Sequence, residues 1–336
     1  MNSQSHAGMS SALLTTIEPD QTASEAIRTA MQTLAQRRVL REVLDELDAR
    51  AAPVLILKGH ALSQWLYPAA EQRPTADVDV LLSNQPAVNG LMAWLTARGY
   101  AAVDATSAGD MVCFETTCCG PERQGKRVEL DLHWRLSTMP LFAFRFEFAE
   151  LMDASIALPA LHPRARSLGP VHALLHACMH RAQNMPGGNH DEPRWLRDIE
   201  LLIGYFTSAQ WQQFLALAVE RKLAAVCLEA IEAAGTTATP NSSAPKPVIQ
   251  ALRSAAAGQG MNMAHMHRWA YVQWQCWRAI PAMRQRLRWL RQRLWPTLHY
   301  LRHRHGAVAR SQFALRGARV VAGVRRAAGS VHEPAD

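Results

Sequence analysis

The chain has 336 residues, of which 49% are hydrophobic and 19% charged, a balance that excludes a wholly disordered or collagen-like protein and leaves length for two domains or one large one. The net charge of +8 is unevenly distributed: residues 1–232 carry 20 Lys and Arg against 26 Asp and Glu, whereas residues 233–332 carry 16 basic side chains and no acidic one. Such asymmetry suits the basic end to an anionic surface, whether membrane, nucleic acid or the chain's own acidic part.

Residues 1–20 are small and polar, contain no Lys or Arg, and show no apolar run of signal-peptide length, so export by that route is not expected. From Ala23 to Arg50 apolar residues recur at three- and four-residue steps, which predicts one amphipathic helix or two. A β-rich run, Pro53 to Leu57, stops at Lys58-Gly59, and a helix is expected over His60 to Leu66. The segment Asp77 to Leu82 starts as an alternating strand, with Asp77 and Asp79 on one face and Val78 and Val80 on the other. Helical spacing returns over Val88 to Arg98 and is closed by Gly99. Strands are expected at Met111 to Thr116 and Arg127 to Trp134, either side of a turn at Cys119 to Glu122. The second sets Glu129, Asp131 and His133 against Val128, Leu130 and Leu132.

Beyond Pro170 the pattern is helical: Val171 to Ala182, Arg194 to Phe206, Ala209 to Arg221 and Ala224 to Ala234. The longest uncharged run, Leu201 to Val219, is broken by Gly204, Ser208 and three Gln, and makes a poor spanning helix. Gly235 to Pro247, rich in Ser, Thr and Pro, reads as a linker. Six cysteines without a CxxC pair do not make a disulfide framework, so a reducing cytoplasm is the expected setting.

The chemistry concentrates in Lys58-Gly59, Arg73, Asp77-Val78-Asp79 and Glu129-Leu130-Asp131. Carboxylates at i and i+2 of a strand project from one face, roughly 7 Å apart at the backbone, and can share hard divalent cations. A third carboxylate on a neighbouring strand would complete an oxygen-rich site, with Asp131 and Glu129 both eligible. Lys58 and Gly59, between a strand and a helix, stand where backbone N–H groups favour phosphate, and Arg73 could offer a guanidinium fork.

The strings LKGHALSQWLYPAAEQRPTADVDVLL, VELDLHWRL, HACMHRAQN and PRWLRDIELL, in that order, resemble the uncharacterised bacterial nucleotidyltransferase family of the DNA polymerase β superfamily over about residues 25–230. The resemblance implies an α/β (α+β) minimal nucleotidyltransferase fold with a mixed sheet, and Mg²⁺- or Mn²⁺-dependent transfer of a nucleoside monophosphate from an NTP to a hydroxyl-bearing acceptor, releasing pyrophosphate. It assigns Asp77, Asp79 and Asp131 to metal binding and catalysis, favouring Asp131 over Glu129, and Gly59 to the nucleotide-cradling turn; the residue reading adds Lys58 and Arg73 as groups that would orient the triphosphate. The superfamily's usual Gly-Ser turn is here Gly59-His60, and Lys58 would compensate for the missing Ser contact.

His133 shares the face of Asp131 and reads first as structural, with a substrate contact or general base as the alternative. His172, His176 and His180 line one helix face, where a structural or substrate-facing role outweighs a zinc site completed by His190 or Asp191. Arg194, Trp195, Arg197 and Asp198 read as an ion-paired helix start. In the tail, Ile280, Met283, Leu287, Leu290, Leu294, Leu298 and Leu301 form an apolar stripe among arginines, with Pro296 expected to kink or end the helix. The stripe suits either an anionic membrane, engaging residues 278–304 at the inner membrane face, or docking on the chain's own core; nucleic acid is the lesser alternative.

The organisation expected is a flexible N-terminus (1–22), a catalytic domain (23–150), a helical domain (151–234), a linker (235–250) and a basic extension (251–336). The rival readings are a catalytically silent nucleotide- or partner-binding module of the same fold, and a nucleic-acid-binding protein acting through its tail.

Overall fold

A computed structural model describes residues 19–103, 109–123, 125–235 and 243–296, with side chains described from residue 27 onward. The N-terminal helical pattern is one helix, α1 (Pro19–Ala49), followed by β1 (Val54–Ile56), α2 (Lys58–Trp65), β2 (Val78–Leu82) and α3 (Gln85–Thr96). Asn84 caps α3 by accepting from the Ala87 N–H at 3.0 Å, and Gly99, at φ 83°, takes the left-handed turn after it. Then come β3 (Ala101–Ala102), β4 (Glu115–Cys119), β5 (Glu129–His133), the short helices α4 (Pro140–Ala143) and α5 (Phe148–Asp153), and the two-residue strands β6 (Ile156–Ala157) and β7 (Arg166–Ser167). The remainder is helical: α6 (Pro170–Gln183), α7 (Pro193–Tyr205), α8 (Ser208–Glu220), α9 (Ala224–Gly235), α10 (Lys246–Gln259), α11 (Trp269–Ala279) and α12 (Met283–Leu294).

The sheet is mixed, in the order β3-β4-β5-β2-β1-β7-β6. Its centre pairs β2 with β5 in parallel, Asp79 opposite Asp131, while β4 runs antiparallel to β5 with Thr117 opposite Asp131 and Glu115 opposite His133. Alternation then separates two layers. Val78, Val80, Leu82, Leu130 and Leu132 pack under α1 and α3, through Leu40, Val43, Leu44, Leu91 and Leu95. The opposite face, which carries Leu55, Leu57 and Leu81, meets a second apolar cluster built from α6 to α12. Asp79, Asp131 and His133 lie on that second face, so the polar members of both strands are buried at the seam between sheet and helices.

Two sequence expectations shift. The strand placed at Met111 to Thr116 lies at Glu115–Cys119, because Met111 and Phe114 are loop residues that plug the helical core. Residues 246–250, read as linker, begin α10, whose Val248 and Leu252 join the same core as α6 to α9. Met266, Val272, Cys276, Ile280 and Trp289 continue that packing into the basic region.

The apolar stripe of the tail divides on α12. Ile280 and Trp289 are buried, Arg288 pairs with Asp110 at 2.6 Å, and Gln292 donates to Asp110 at 2.7 Å. Met283, Leu287, Leu290 and Leu294 stay 57%, 56%, 37% and 64% exposed. Leu298 and Leu301 lie outside the described residues. No helix among the described residues is long and apolar enough to cross a membrane.

Candidate active site

Asp79 is the centre of the polar seam. Its Oδ1 accepts from Lys58 Nζ at 2.5 Å and lies 3.0 Å from His133 Nε2. Beside it on β5, Asp131 accepts from Thr117 Oγ1 at 2.6 Å. One ligand atom from each of Asp79, Asp131 and His133 lies within 4.8 Å of the others, and this is the one such metal-capable group among the described residues. Glu115 completes the surround, its Oε2 3.4 Å from His133 Nδ1. Asp77, just before β2, is half-buried next to the cluster, whereas Glu129, at the start of β5, is exposed and touches Cys119 Sγ at 3.8 Å.

So many acidic groups in one buried place shape each other's charge. Burial opposes ionisation of Asp79, but the ammonium of Lys58 and the hydrogen bond from His133 outweigh it and hold the carboxyl far below its ordinary range. Burial likewise opposes the charge on Lys58 and on His133, and Asp79 reverses both, so each is raised. Asp77 lacks such a partner: burial first, and the Asp79 charge second, push it up to about 6. Burial also raises Glu115, against the pull of His133.

The backbone that aims Lys58 is unusual. Lys58 opens α2 with φ 49°, a left-handed conformation that costs a side-chain-bearing residue roughly 1–2 kcal/mol. Gly59 is required for a different reason: a Cβ there would lie 2.3 Å from Thr75 Cγ2 and 3.3 Å from Arg73 Nη1, so α2 can approach the 73–75 segment only without one. That segment is fixed from two sides. Thr75 Oγ1 donates to Gln36 Oε1 at 2.9 Å and so accepts from His60 Nε2 at 2.9 Å, while Gln36 Nε2 donates to the Ala76 carbonyl at 2.8 Å. His60 therefore holds the loop that leads into Asp77 and Asp79.

The guanidinium fork expected at a triphosphate is engaged elsewhere. Arg73 Nε and Nη2 donate to the two carboxylate oxygens of Asp198 on α7, each at 2.8 Å, and Tyr67 Oη donates to the same carboxylate at 2.6 Å. Both side chains of the ion pair are almost completely buried. The helix-start reading holds for Arg194 and Arg197, which pair with Glu192 and Glu200, but Asp198 reaches across to Arg73, in the segment before β2.

A cavity opens between β1, α2 and the helices α6 and α7, lined by Lys58, Arg73, His176, His180, Trp195 and Asp198 among apolar side chains. Burial, with the Lys58 charge adding to it, lowers His176 to about 3 and His180 well below its ordinary value, so both imidazoles are neutral. His180 stands edge-on to Trp195, ring centres 4.4 Å apart. His172 points instead to Glu150 and Phe146, and His190 and Asp191 are turned to each other and to Arg181. The three helix histidines thus form no zinc site with His190 or Asp191.

Sequence reasoning placed Asp77, Asp79 and Asp131 in one neighbourhood with Lys58. It passed over Glu115 and Thr117 and treated His133 as structural, although alternation along β5 already put His133 on the face of Asp131. The donor set fits a divalent cation: two adjacent buried carboxylates and the imidazole of His133, with the Asp77 carboxylate within electrostatic reach.

A profile of the family described as uncharacterised nucleotidyltransferase matches residues 20–239, from α1 to just past α9. Among solved structures, an antigenic nucleotidyltransferase-like protein from Paracoccidioides brasiliensis is similar at 15% identity, over 64% of this chain and 96% of its own, with a TM-score of 0.37. No curated protein matches the chain.

Proposed function

The chain belongs to the uncharacterised nucleotidyltransferase family, and on that premise we propose that it transfers a nucleoside monophosphate from an NTP to a hydroxyl-bearing acceptor, with Mg²⁺ or Mn²⁺. The observation that carries this is the parallel register of β2 and β5, which sets Asp79 directly beside Asp131 on a buried face. Asp77, Asp79 and Asp131 would hold the cation. When bound, it would lower the pKa of the acceptor hydroxyl and offset charge on the phosphates. Asp131 receives the hydroxyl proton as the acceptor oxygen bonds to the α-phosphorus, and the bond from that phosphorus to the bridging oxygen breaks to release pyrophosphate. Lys58 draws in the phosphates, and Gly59 lets α2 close on the loop that carries Asp77. The cavity lined by neutral His176, His180 and Trp195 suits an uncharged, flat portion of donor or acceptor, such as a small molecule, sugar or peptide side chain.

The test is a screen of labelled NTPs with Mg²⁺ or Mn²⁺ and cell extract. Pyrophosphate release with a labelled product is expected; no product from any NTP, or product formation unchanged in Asp79→Asn, would overturn the assignment.

The exposed apolar row of α12 supports a peripheral attachment to an anionic bilayer on the cytoplasmic side. Arg284 and Arg291 are exposed along the same helix, where Arg288 is already paired with Asp110, and residues 233–332 contain no acidic residue. A silent binding module is the second reading, and the contact that favours it is Lys58 on Asp79.

A further inference from the structure

Lys58 stands where a cation belongs. Its Nζ lies 2.5 Å from Asp79 Oδ1, the oxygen that also receives His133, so a divalent ion bound to that oxygen and the ammonium cannot both occupy its open side. Of the two groups on Asp79, His133 is locked: its side chain is 2% exposed and sits between Asp79 and Glu115. The Lys58 side chain is 22% exposed, lines the cavity against α6 and α7, and has a flexible four-carbon stem. It therefore has both room and reach to leave. Its backbone at the first residue of α2 is left-handed, with φ 49°.

We propose that Lys58 is a resident counter-cation that yields Asp79 to the divalent metal and, once displaced, captures the triphosphate. The inference rests on the nucleotidyltransferase reading and adds a sequence to it: before loading, the lysine neutralises the buried carboxylates, and metal entry releases that positive charge into the cavity beside the phosphates. Metal and nucleotide binding are then coupled through one side chain. A site in which lysine only decorates the phosphates would show no such competition.

Mn²⁺ binding, read by electron paramagnetic resonance of the free ion without nucleotide, tests this on the full chain. Lys58→Met removes the ammonium; Lys58→Asn does so with a residue that tolerates left-handed backbone, in case the first variant is poorly folded. Both should bind Mn²⁺ at least tenfold more tightly than the parent, whereas at saturating Mn²⁺ both should bind a non-hydrolysable NTP analogue at least tenfold more weakly. Mn²⁺ affinity unchanged or reduced in the folded variants overturns the exchange. The parent and Asp79→Asn separate the two levels of argument: if parent binding requires Asp79 while Lys58 changes nothing, only the exchange fails. If Asp79→Asn binds Mn²⁺ as well as the parent does, the metal site fails and the exchange with it.

Discussion

Replacing Asp198 by Ala would leave the Arg73 guanidinium buried at the junction of the segment before β2 and α7 without its paired carboxylate. In the native chain that guanidinium makes two 2.8 Å bonds to Asp198, and Tyr67 adds a third contact at 2.6 Å. With side-chain exposures of 6% and 7%, the lost partner can be replaced only by water entering from the adjoining cavity. Breaking a buried pair from one side costs about 3–5 kcal/mol. For a domain of this size each kcal/mol moves Tm by about 2–4 °C, so a fall of roughly 6–20 °C is expected in a thermal melt. The double variant Arg73→Met/Asp198→Leu should recover most of it, because replacing both charges removes the desolvation cost along with the attraction. The same variant decides between two uses of Arg73. As an interlayer clamp, its loss leaves NTP affinity within about twofold of the parent once stability is restored; a tenfold loss would assign Arg73 to the triphosphate, as the sequence reading had it. A melting change in Asp198→Ala worth under about 1 kcal/mol would refute the clamp.

The other expectations concern the carboxylates, acid stability and the tail. Asp79→Asn and Asp131→Asn should each lower NTP turnover on the order of a thousandfold while keeping the fold, measured as pyrophosphate release, and Glu129→Ala should be far milder; the reverse order between Asp131 and Glu129 would move the third carboxylate to Glu129. His60, held neutral by burial with its pKa lowered to about 4, binds fewer protons folded than unfolded between pH 6.5 and 4. Its contribution is therefore complete above pH 6.5 and lost as pH falls toward 4, by about 3 kcal/mol; His60→Gln should reduce the slope of Tm against pH in that window, the remainder coming from groups such as His176 and His180, and an unchanged slope would sink the account. Leu287→Glu/Leu290→Glu on α12 should abolish sedimentation with anionic vesicles without lowering Tm, and binding of the parent should weaken as salt shrinks the Debye length from about 10 Å at 0.1 M to about 3 Å at 1 M. Vesicle binding equal in the double variant would refute the surface assignment.

What the sequence revealed depended on how local the determining contact is. The i, i+2 spacing of Asp77 and Asp79 and the alternation through Glu129 to His133 are local properties of the chain; the alternation survives in β5, and of the Asp pair Asp79 lies in β2 with Asp77 just before it. The helices from α6 to α9 follow their apolar period in the same way. The strand neighbours were not local. Thr117 meets Asp131 and Glu115 meets His133 only because β4 folds back on β5, and the apolar Met111 and Phe114, which drew the expected strand four residues early, owe their character to helices that follow in the chain. Lys58 and Asp79 are 21 residues apart and Arg73 and Asp198 are 125 apart, so neither pairing has a spacing signature. Reading Lys58 and Arg73 as two free cations beside a phosphate followed from their residue types alone. Folding gives each a carboxylate, but under different conditions: Arg73 is sealed on Asp198 where two layers meet, whereas Lys58 sits partly exposed on a ligand-capable Asp79 with a cavity next to it. That difference in enclosure, invisible in the string LKGHALSQWLYPAAEQRP, is the ground on which the clamp is proposed for Arg73 and the exchange for Lys58.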